Sequence, residues 1–257
     1  MVVMPSGSVP TIFAKSTTTY LEAKPHGIEF HFPDAGNMAA QINRILRGGE
    51  YPILGLPGYA PRLIVDVGAN VGASSVFFAL KYPDAAVHCF EPSAHNVAYI
   101  ERNIVELPRI TCHPFGLHDR EQTLDLFLGA SQSMQCSVVP SLETGQETER
   151  ITLRRARPEL ERIGLGGGGA ILKLDTEGCE VPILRDIADL LDGIDMIYVE
   201  YHSEADRRTI DAILAGRFML SWSHAALPHR GMILYVAEAL AARFPGLNSL
   251  RLDPPPA

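Results

Sequence analysis

The chain has 257 residues, of which 46% are hydrophobic and 20% charged, a balance that excludes global disorder and collagen-like repeats and allows one large domain with an extension. Its 22 Lys and Arg against 30 Asp and Glu give a formal charge of −8, which opposes the phosphate attraction behind nucleic-acid binding. No apolar run is long enough to span a membrane and no secretion signal is apparent, so we expect a cytoplasmic protein with four free cysteines and no nucleic-acid or membrane partner.

The first part of the chain, residues 1–60, has an irregular pattern. Two short β-like runs, at 11–15 and 27–32, precede a helical pattern that extends from Met38 to Leu46 and stops at a pair of glycines. We therefore predict a small N-terminal extension that ends before the more regular part of the chain.

Residues 61–240 alternate between short apolar runs and helical patterns, and residues 241–257 form a tail that ends in LDPPPA and is expected to be extended. Strands separated by helices of this length predict an α/β fold with a mostly parallel sheet covered on both faces. Residues 129–169 give no clear pattern, although alternating leucines just before them indicate an extra strand. The predicted strands are 63–67, 86–90, 110–113, 170–174, 195–199, 218–222 and 232–236, and the predicted helices are 73–80, 93–107, 180–191 and 203–215.

A glycine turn follows the first strand of this domain. Gly68 and Gly72 have G-x-x-x-G spacing, and Asn70 stands where a dinucleotide-binding fingerprint has its second glycine, which argues against NAD or FAD. Asp66 places negative charge beside the turn, which would repel a phosphate but suits a ligand with a sulfonium or ammonium group. The turn is therefore predicted to bind the cationic part of a cofactor.

The second strand delivers Glu91, 25 residues after Asp66. An acidic residue at this position of a βαβ unit accepts the ribose hydroxyls of an adenosine-type cofactor. The two signals together favour one cofactor site at the carboxyl ends of the first two strands.

Several runs in the chain are similar to those of FkbM-type methyltransferases, which have the Rossmann-like class I fold of S-adenosylmethionine-dependent enzymes. The similar runs are LIVDVGANVGASS, CFEPS, LKLDTEGCE and IYVEYH, together with the lead-in GGEYPILGLP, and the resemblance covers roughly residues 41–237. It implies a seven-stranded sheet with an antiparallel last strand, and methyl transfer from S-adenosylmethionine to a hydroxyl, commonly on a sugar or natural-product scaffold. The run ITLRRARPEL departs from the T-L-D-type run usual before the fourth strand, so the resemblance says little about substrate contacts there.

The resemblance also implies roles for individual residues. Asp66, Gly68, Asn70 and Gly72 would surround the methionine part of the cofactor, Glu91 would hold its ribose, and Asp119 would contact the adenine amino group. Contacts to the methyl acceptor are expected from residues 1–60 and 129–169, and the N-terminal segment could pack across a homodimer.

The candidate catalytic groups follow two neighbouring strands. Asp175, Glu177 and Glu180 follow the fourth predicted strand, 170–174. Glu200 and His202 lie at the end of the fifth, 195–199. His202 has the ordinary pKa range of a general base near neutrality, and Asp175 or Glu200 could orient its ring.

Three alternatives remain open at this stage. The side chains of Asp175, Glu200 and His202 are acceptable ligands for a divalent metal ion that would acidify the hydroxyl, although a metal is not expected because their spacing matches no metal motif. The fold would also suit a nicotinamide-dependent oxidoreductase. A non-catalytic cofactor-binding module is the third alternative.

Overall fold

The computed structural model describes residues 16–21, 28–34, 37–129, 144–244 and 247. Twelve strands and seven α-helices occur in this part of the chain. The predicted strand at 11–15 and the tail beyond residue 247 lie outside the described residues. In chain order the elements are β1 (Ser16–Leu21), β2 (Ile28–Pro33), α1 (Met38–Leu46), β3 (Leu63–Val67), α2 (Ala73–Lys81), β4 (Ala86–Phe90), α3 (Ala94–Asn103), β5 (Ile110–His113), β6 (Gly116–His118), β7 (Gln122–Gly129), β8 (Thr144–Arg155), α4 (Ala156–Arg162), β9 (Ala170–Leu174), α5 (Glu180–Asp186), β10 (Ile194–Tyr201), α6 (Glu204–Leu214), β11 (Phe218–Leu227), β12 (Arg230–Ala237) and α7 (Glu238–Arg243).

The main sheet has seven strands in the order β11-β12-β10-β9-β3-β4-β5. All neighbouring pairs from β10 to β5 are parallel, whereas β12 runs antiparallel to both β10 and β11, so the last strand alone is reversed. Every residue of β3 and β9 is buried, because these central strands are covered on both faces. The predicted α/β fold class, with a mostly parallel seven-stranded sheet and an antiparallel last strand, is confirmed.

A second, three-stranded sheet accounts for part of the segment that the sequence left unassigned. Strand β8 pairs with β6 in parallel and with β7 in antiparallel orientation, and α4 follows it directly. The charged run from Thr144 to Arg155 did not indicate a strand because its outward positions are polar and only Ile151 and Leu153 are buried among its last residues. Residues 130–143 lie outside the described part.

The N-terminal extension is joined to the main domain by a buried amide. Strands β1 and β2 form an antiparallel pair, and Asn103 of α3 hydrogen-bonds to both the N–H and the carbonyl oxygen of His31 at 2.7 and 2.9 Å. The same amide donates to the carbonyl oxygen of Val71 in the glycine turn at 2.9 Å. This contact ties the extension to the segment that precedes α2.

The glycine-rich segment 164–169 closes around one arginine. Arg62 donates to the carbonyl oxygen of Gly168 at 2.5 Å and also to that of Gly164. A side chain at Gly167 would lie 2.6 Å from the Arg62 guanidinium, so a larger residue there would displace the arginine side chain. In the described residues, no helix is long and apolar enough to cross a bilayer.

Candidate active site

A cleft of about 310 Å³ opens at the carboxyl ends of β3, β4, β9 and β10, where ligands bind in open α/β sheets. Its apolar lining comes mainly from the small sheet, with further residues from α1 and the β11–β12 hairpin. Its charged lining consists of five carboxyl groups and two guanidinium groups. The apolar lining residues include Ile45, Leu117, Leu126, Ile151, Leu153, Leu227 and Met232, and the charged ones are Arg44, Glu50, Glu91, Asp175, Glu177, Glu200 and Arg230.

The glycine turn borders this cleft and packs tightly against the end of β9. Gly68 has φ +77° and its amide donates to the carbonyl oxygen of Phe90 at 3.0 Å. A methyl group at Gly68 would lie 1.8 Å from the carbonyl oxygen of Asp175, so the turn can approach that strand only without a side chain. Asn70 also has a positive φ, +52°, which asparagine tolerates better than most residues. The turn therefore approaches the end of β9 backbone to backbone.

Asp66 occupies a different place from the one expected from the sequence. Its side chain is completely buried and lies behind the turn, where Ser74 and Ser75 donate to one carboxylate oxygen at 2.6 and 2.5 Å. The other oxygen lies 3.0 Å from Nζ of Lys173. Asp66 does not line the cleft, and the carboxylate that faces it beside the turn is that of Asp175.

Glu91 lines the cleft with a carboxyl group that is only 5% exposed. One oxygen accepts from the Ser93 amide at 3.0 Å and from the Asn96 side chain at 3.2 Å, and the other accepts from the Asn70 amide at 2.8 Å. Burial outweighs these hydrogen bonds and raises the pKa of Glu91 to about 7. Two carboxyl oxygens provide about four acceptor positions, so one position remains open among the described residues.

Asp119 lies outside the cleft lining. Its carboxylate contacts Nδ1 of His118 at 2.6 Å, and its side chain is 41% exposed. Of the predicted cofactor residues, the structure brings Gly68, Asn70, Glu91 and Asp175 to the cleft. The other three, Asp66, Gly72 and Asp119, do not line it.

The predicted catalytic residues do come together. Each of the side chains of Asp175, Glu177, Glu200 and His202 has a potential ligand atom within 4.8 Å of the others. Nε2 of His202 lies 3.0 Å from Glu177 and 3.6 Å from Glu200, yet neither ring nitrogen has hydrogen-bond geometry to a partner in the described part of the chain. These contacts are ion pairs rather than directed hydrogen bonds.

Arg230, at the start of β12, completes the charged cluster and was not identified from the sequence. Its guanidinium donates to Glu200 at 3.0 Å and to Glu177 at 2.7 Å. The two glutamates are thus bridged by Arg230 on one side and by His202 on the other. Only the reversal of the chain at the β11–β12 hairpin places Arg230 here, and no local motif indicates it.

The ionisation of the cluster differs from the sequence-based expectation. Burial alone would lower the pKa of His202, but the carboxylates of Glu177 and Glu180 outweigh it and raise that pKa to about 10. Burial also raises the pKa of Glu200, to about 9, with a further contribution from Asp175. For Asp175 burial is outweighed by the Lys173 ammonium, which holds its pKa below the usual value. At neutral pH the imidazole is therefore charged, and of the two neighbouring acids Asp175 and Glu200 it is Asp175 that is ionised.

Glu180 supports the turn before α5 rather than the cleft. Its carboxylate accepts from the amide of Thr176 at 2.8 Å and from that of Gly178 at 3.1 Å, which satisfies backbone groups at the helix start. Glu177, which lies between Thr176 and Gly178, has a strained φ of +55°. Its side chain contacts Arg230 and His202.

The chain is similar in sequence and fold to known methyltransferases. The sequence profile of the methyltransferase FkbM domain matches residues 66–227. Methyltransferase 1 of Beauveria bassiana is 28% identical over 182 residues, covering 60% of this chain and 70% of that protein. Methyltransferase sdnD of Sordaria araneosa is 29% identical over 144 residues, covering 55% of this chain and 51% of that protein. The crystal structure of methyltransferase FkbM from Methylobacillus flagellatus has a TM-score of 0.52 at 19% identity, covering 74% of this chain and 47% of that one, which supports the fold. The chain thus spans about half the length of the last two proteins.

Proposed function

Because the chain belongs to the FkbM methyltransferase family, we propose that it transfers a methyl group from S-adenosylmethionine to a hydroxyl group of a small molecule. The observation that carries this proposal is the shared cleft: the glycine turn, the Glu91 carboxyl group and the Asp175 carboxylate all border it. When bound there, S-adenosylmethionine would supply an electrophilic methyl group on a positively charged sulfur.

The residues at one end of the cleft fit the cofactor. Glu91 has one acceptor position left, which suits one ribose hydroxyl rather than the pair expected from the sequence. The buried Oδ1 of Asn70 has no hydrogen-bond partner among the described residues, so it offers another acceptor at the turn. Asp66 and Lys173 neutralise each other, and Asp175 therefore supplies the negative charge that favours a sulfonium ion.

Asp175 is the proposed proton acceptor. A hydroxyl oxygen that has formed its new bond to carbon is a very strong acid, so even a carboxylate of low basicity can take its proton. His202 carries a proton already at neutral pH, and its proposed role is to hold Glu177 and Glu200 in place beside Asp175. Orientation of the two reacting groups supplies the larger share of the acceleration, roughly 7 to 11 kcal/mol in well-aligned systems.

The acceptor is proposed to bind between α1 and the β11–β12 hairpin. Arg44 and Glu50 form an ion pair on one side, and Arg230 pairs with glutamates on the other, so the charged groups that line this space are already compensated. Ile45, Ile151 and Leu227 provide apolar surface around them. An uncharged acceptor with an apolar body and a free hydroxyl fits this lining.

A metal-assisted reaction is less well supported. Oxygen and nitrogen donors do converge at Asp175, Glu177, Glu200 and His202, but Arg230 and the charged imidazole already occupy two of the carboxylates. A divalent ion would have to displace both cations. The nicotinamide oxidoreductase alternative has no support from the family, and the glycine turn lacks the fingerprint that it would need.

The proposal is tested with the purified protein by isothermal titration with S-adenosylmethionine, S-adenosylhomocysteine and NAD⁺. We expect binding of the first two only, and about tenfold or greater loss of affinity in Glu91→Ala but not in the exposed control Glu101→Ala. Incubation with S-adenosylmethionine and a panel of hydroxylated metabolites should then give a product that is about 14 Da heavier. Absence of cofactor binding, or binding that Glu91→Ala leaves unchanged, would contradict the assignment.

A further inference from the structure

Lys173 is a buried cation at the point where the glycine turn meets the carboxylates of Asp66 and Asp175. It is the fourth residue of β9, and its side chain is only 2% exposed. Lysine is almost never fully buried unless it is paired. Burial alone would lower its pKa, but Asp66 and Asp175 raise it above the ordinary value, so the ammonium is retained inside the protein.

The ammonium contacts different parts of the site, besides a longer contact of 3.5 Å to the carbonyl oxygen of Val67. Nζ lies 3.0 Å from the Asp66 carboxylate, donates to the carbonyl oxygen of Gly68 at 2.7 Å, and lies 3.7 Å from the Asp175 carboxylate. The first partner is a buried residue of β3, the second is the backbone of the glycine turn, and the third faces the cleft. One group thus connects the turn with the proposed proton acceptor.

Stability alone does not account for this arrangement. A buried ion pair contributes little net stability compared with well-packed apolar side chains, because both ions lose their hydration. The turn and Asp175, by contrast, need a fixed relation, since the carbonyl oxygen of Asp175 lies where a Gly68 side chain would be. An ammonium bound to both can supply that relation.

We propose that Lys173 is a positioning residue for methyl transfer, holding the Gly68 carbonyl and the Asp175 carboxylate in one fixed geometry without touching either substrate. The inference rests on the proposed function for its catalytic consequence. Its structural part, that Lys173 orders the turn, does not depend on the identity of the acceptor.

The test compares three variants. Lys173→Met alone leaves the buried Asp66 charge without its cationic partner and can fail to fold. The decisive variant therefore combines it with Asp66→Asn, which removes both buried charges while Asn can still accept from Ser74 and Ser75. Asp66→Asn alone is the reference: its amide oxygen can turn to Nζ of Lys173 while its NH2 donates to the serine hydroxyls, so Lys173 can keep its contacts with Gly68 and Asp175. Lys81→Met, at an exposed lysine of α2, is the control for loss of a lysine.

Two measurements need no acceptor. In the ligand-free double variant, we expect amide hydrogen exchange of residues 68–70 to be about tenfold faster than in Asp66→Asn, because the turn loses its anchor. The dissociation constant of S-adenosylhomocysteine should rise by about tenfold. With an acceptor in hand, kcat should fall by roughly 10- to 100-fold while the acceptor KM changes by less than about twofold.

The inference is overturned if the double variant and Asp66→Asn agree within about twofold in exchange, affinity and kcat. It is also overturned if the double variant does not fold while Asp66→Asn does, since Lys173 is then a structural residue. If the wild-type protein binds no cofactor, the proposed function fails, whereas the exchange comparison still decides whether Lys173 holds the turn.

Discussion

Replacement of Gly68 by alanine tests the packing of the glycine turn, and Gly58 provides a matched control. Gly68 and Gly58 both have φ +77°, so an alanine at either position carries the same backbone strain, about 1 kcal/mol. A side chain at Gly58 would have no neighbour within 4 Å, whereas one at Gly68 would lie 1.8 Å from the carbonyl oxygen of Asp175. The difference between the two variants therefore isolates the effect of the close approach.

The structure gives the size of that difference. Contacts of a side-chain carbon under 3.0 Å are essentially never seen, so the turn and the end of β9 would have to separate by more than about 1 Å. Because both are buried backbone segments, we expect Gly68→Ala to lower the free energy of unfolding by about 3 to 5 kcal/mol, against about 1 kcal/mol for Gly58→Ala. The displaced turn should also abolish measurable binding of S-adenosylhomocysteine.

Urea unfolding monitored by circular dichroism gives the two free energies, and calorimetric titration gives the affinity. Gly58→Ala should bind S-adenosylhomocysteine as the wild type does, because Gly58 is exposed and outside the cleft lining. If the two variants differ by less than about 0.5 kcal/mol and both retain affinity, the turn does not pack as described, and the reasoning from the Gly68–Asp175 contact is refuted.

Three further predictions concern ionisable side chains. Burial, with neighbouring His88, lowers the pKa of His113 to about 4 in the folded state. The free energy of unfolding should therefore be full above pH 6.5 and fall by about 2 kcal/mol as the pH drops toward 4. In His113→Phe this decrease of the free energy of unfolding at acid pH should be smaller. Glu91 has the opposite effect, because burial raises its pKa to about 7. Its contribution to the free energy of unfolding is full below pH 4.5 and falls by about 3 kcal/mol as the pH rises through 7. Thermal unfolding of Glu91→Gln should not show this pH dependence. His202→Gln should lower kcat by less than about tenfold, since Asp175 takes the proton, and a loss of 100-fold or more in a methyl-transfer assay would instead identify His202 as the base.

Much of the fold followed from apolar runs in the sequence. The central strands β3 and β9 each have four apolar residues out of five, so both their position and their burial were predictable. The apolar run could not show that β9 also buries a lysine with Asp66. Strand β8 was missed, because its charged outward face hides the alternation that marks a half-buried strand.

The candidate site was predictable only in part. Residues that follow strand ends, such as Glu91, Asp175 and His202, were identified because parallel strands bring their carboxyl ends to one edge of the sheet. The charge state of His202 was not, because it depends on Glu177, whose side chain is aimed by a backbone angle that no motif encodes. Arg230 lies in a hairpin more than 50 residues after Asp175, so only the folded chain shows that it pairs with Glu177 and Glu200.

The two ends of the cleft come from separate stretches of the chain. Residues 66–91 form the glycine turn and the Glu91 carboxyl group, whereas α1 and the β11–β12 hairpin contribute Arg44, Ile45, Leu227 and Arg230. Under the proposed function, exchange of the latter segments between relatives would change which acceptor is admitted while donor recognition stays intact. The fold thus separates what must stay constant in such a catalyst from what is free to diversify.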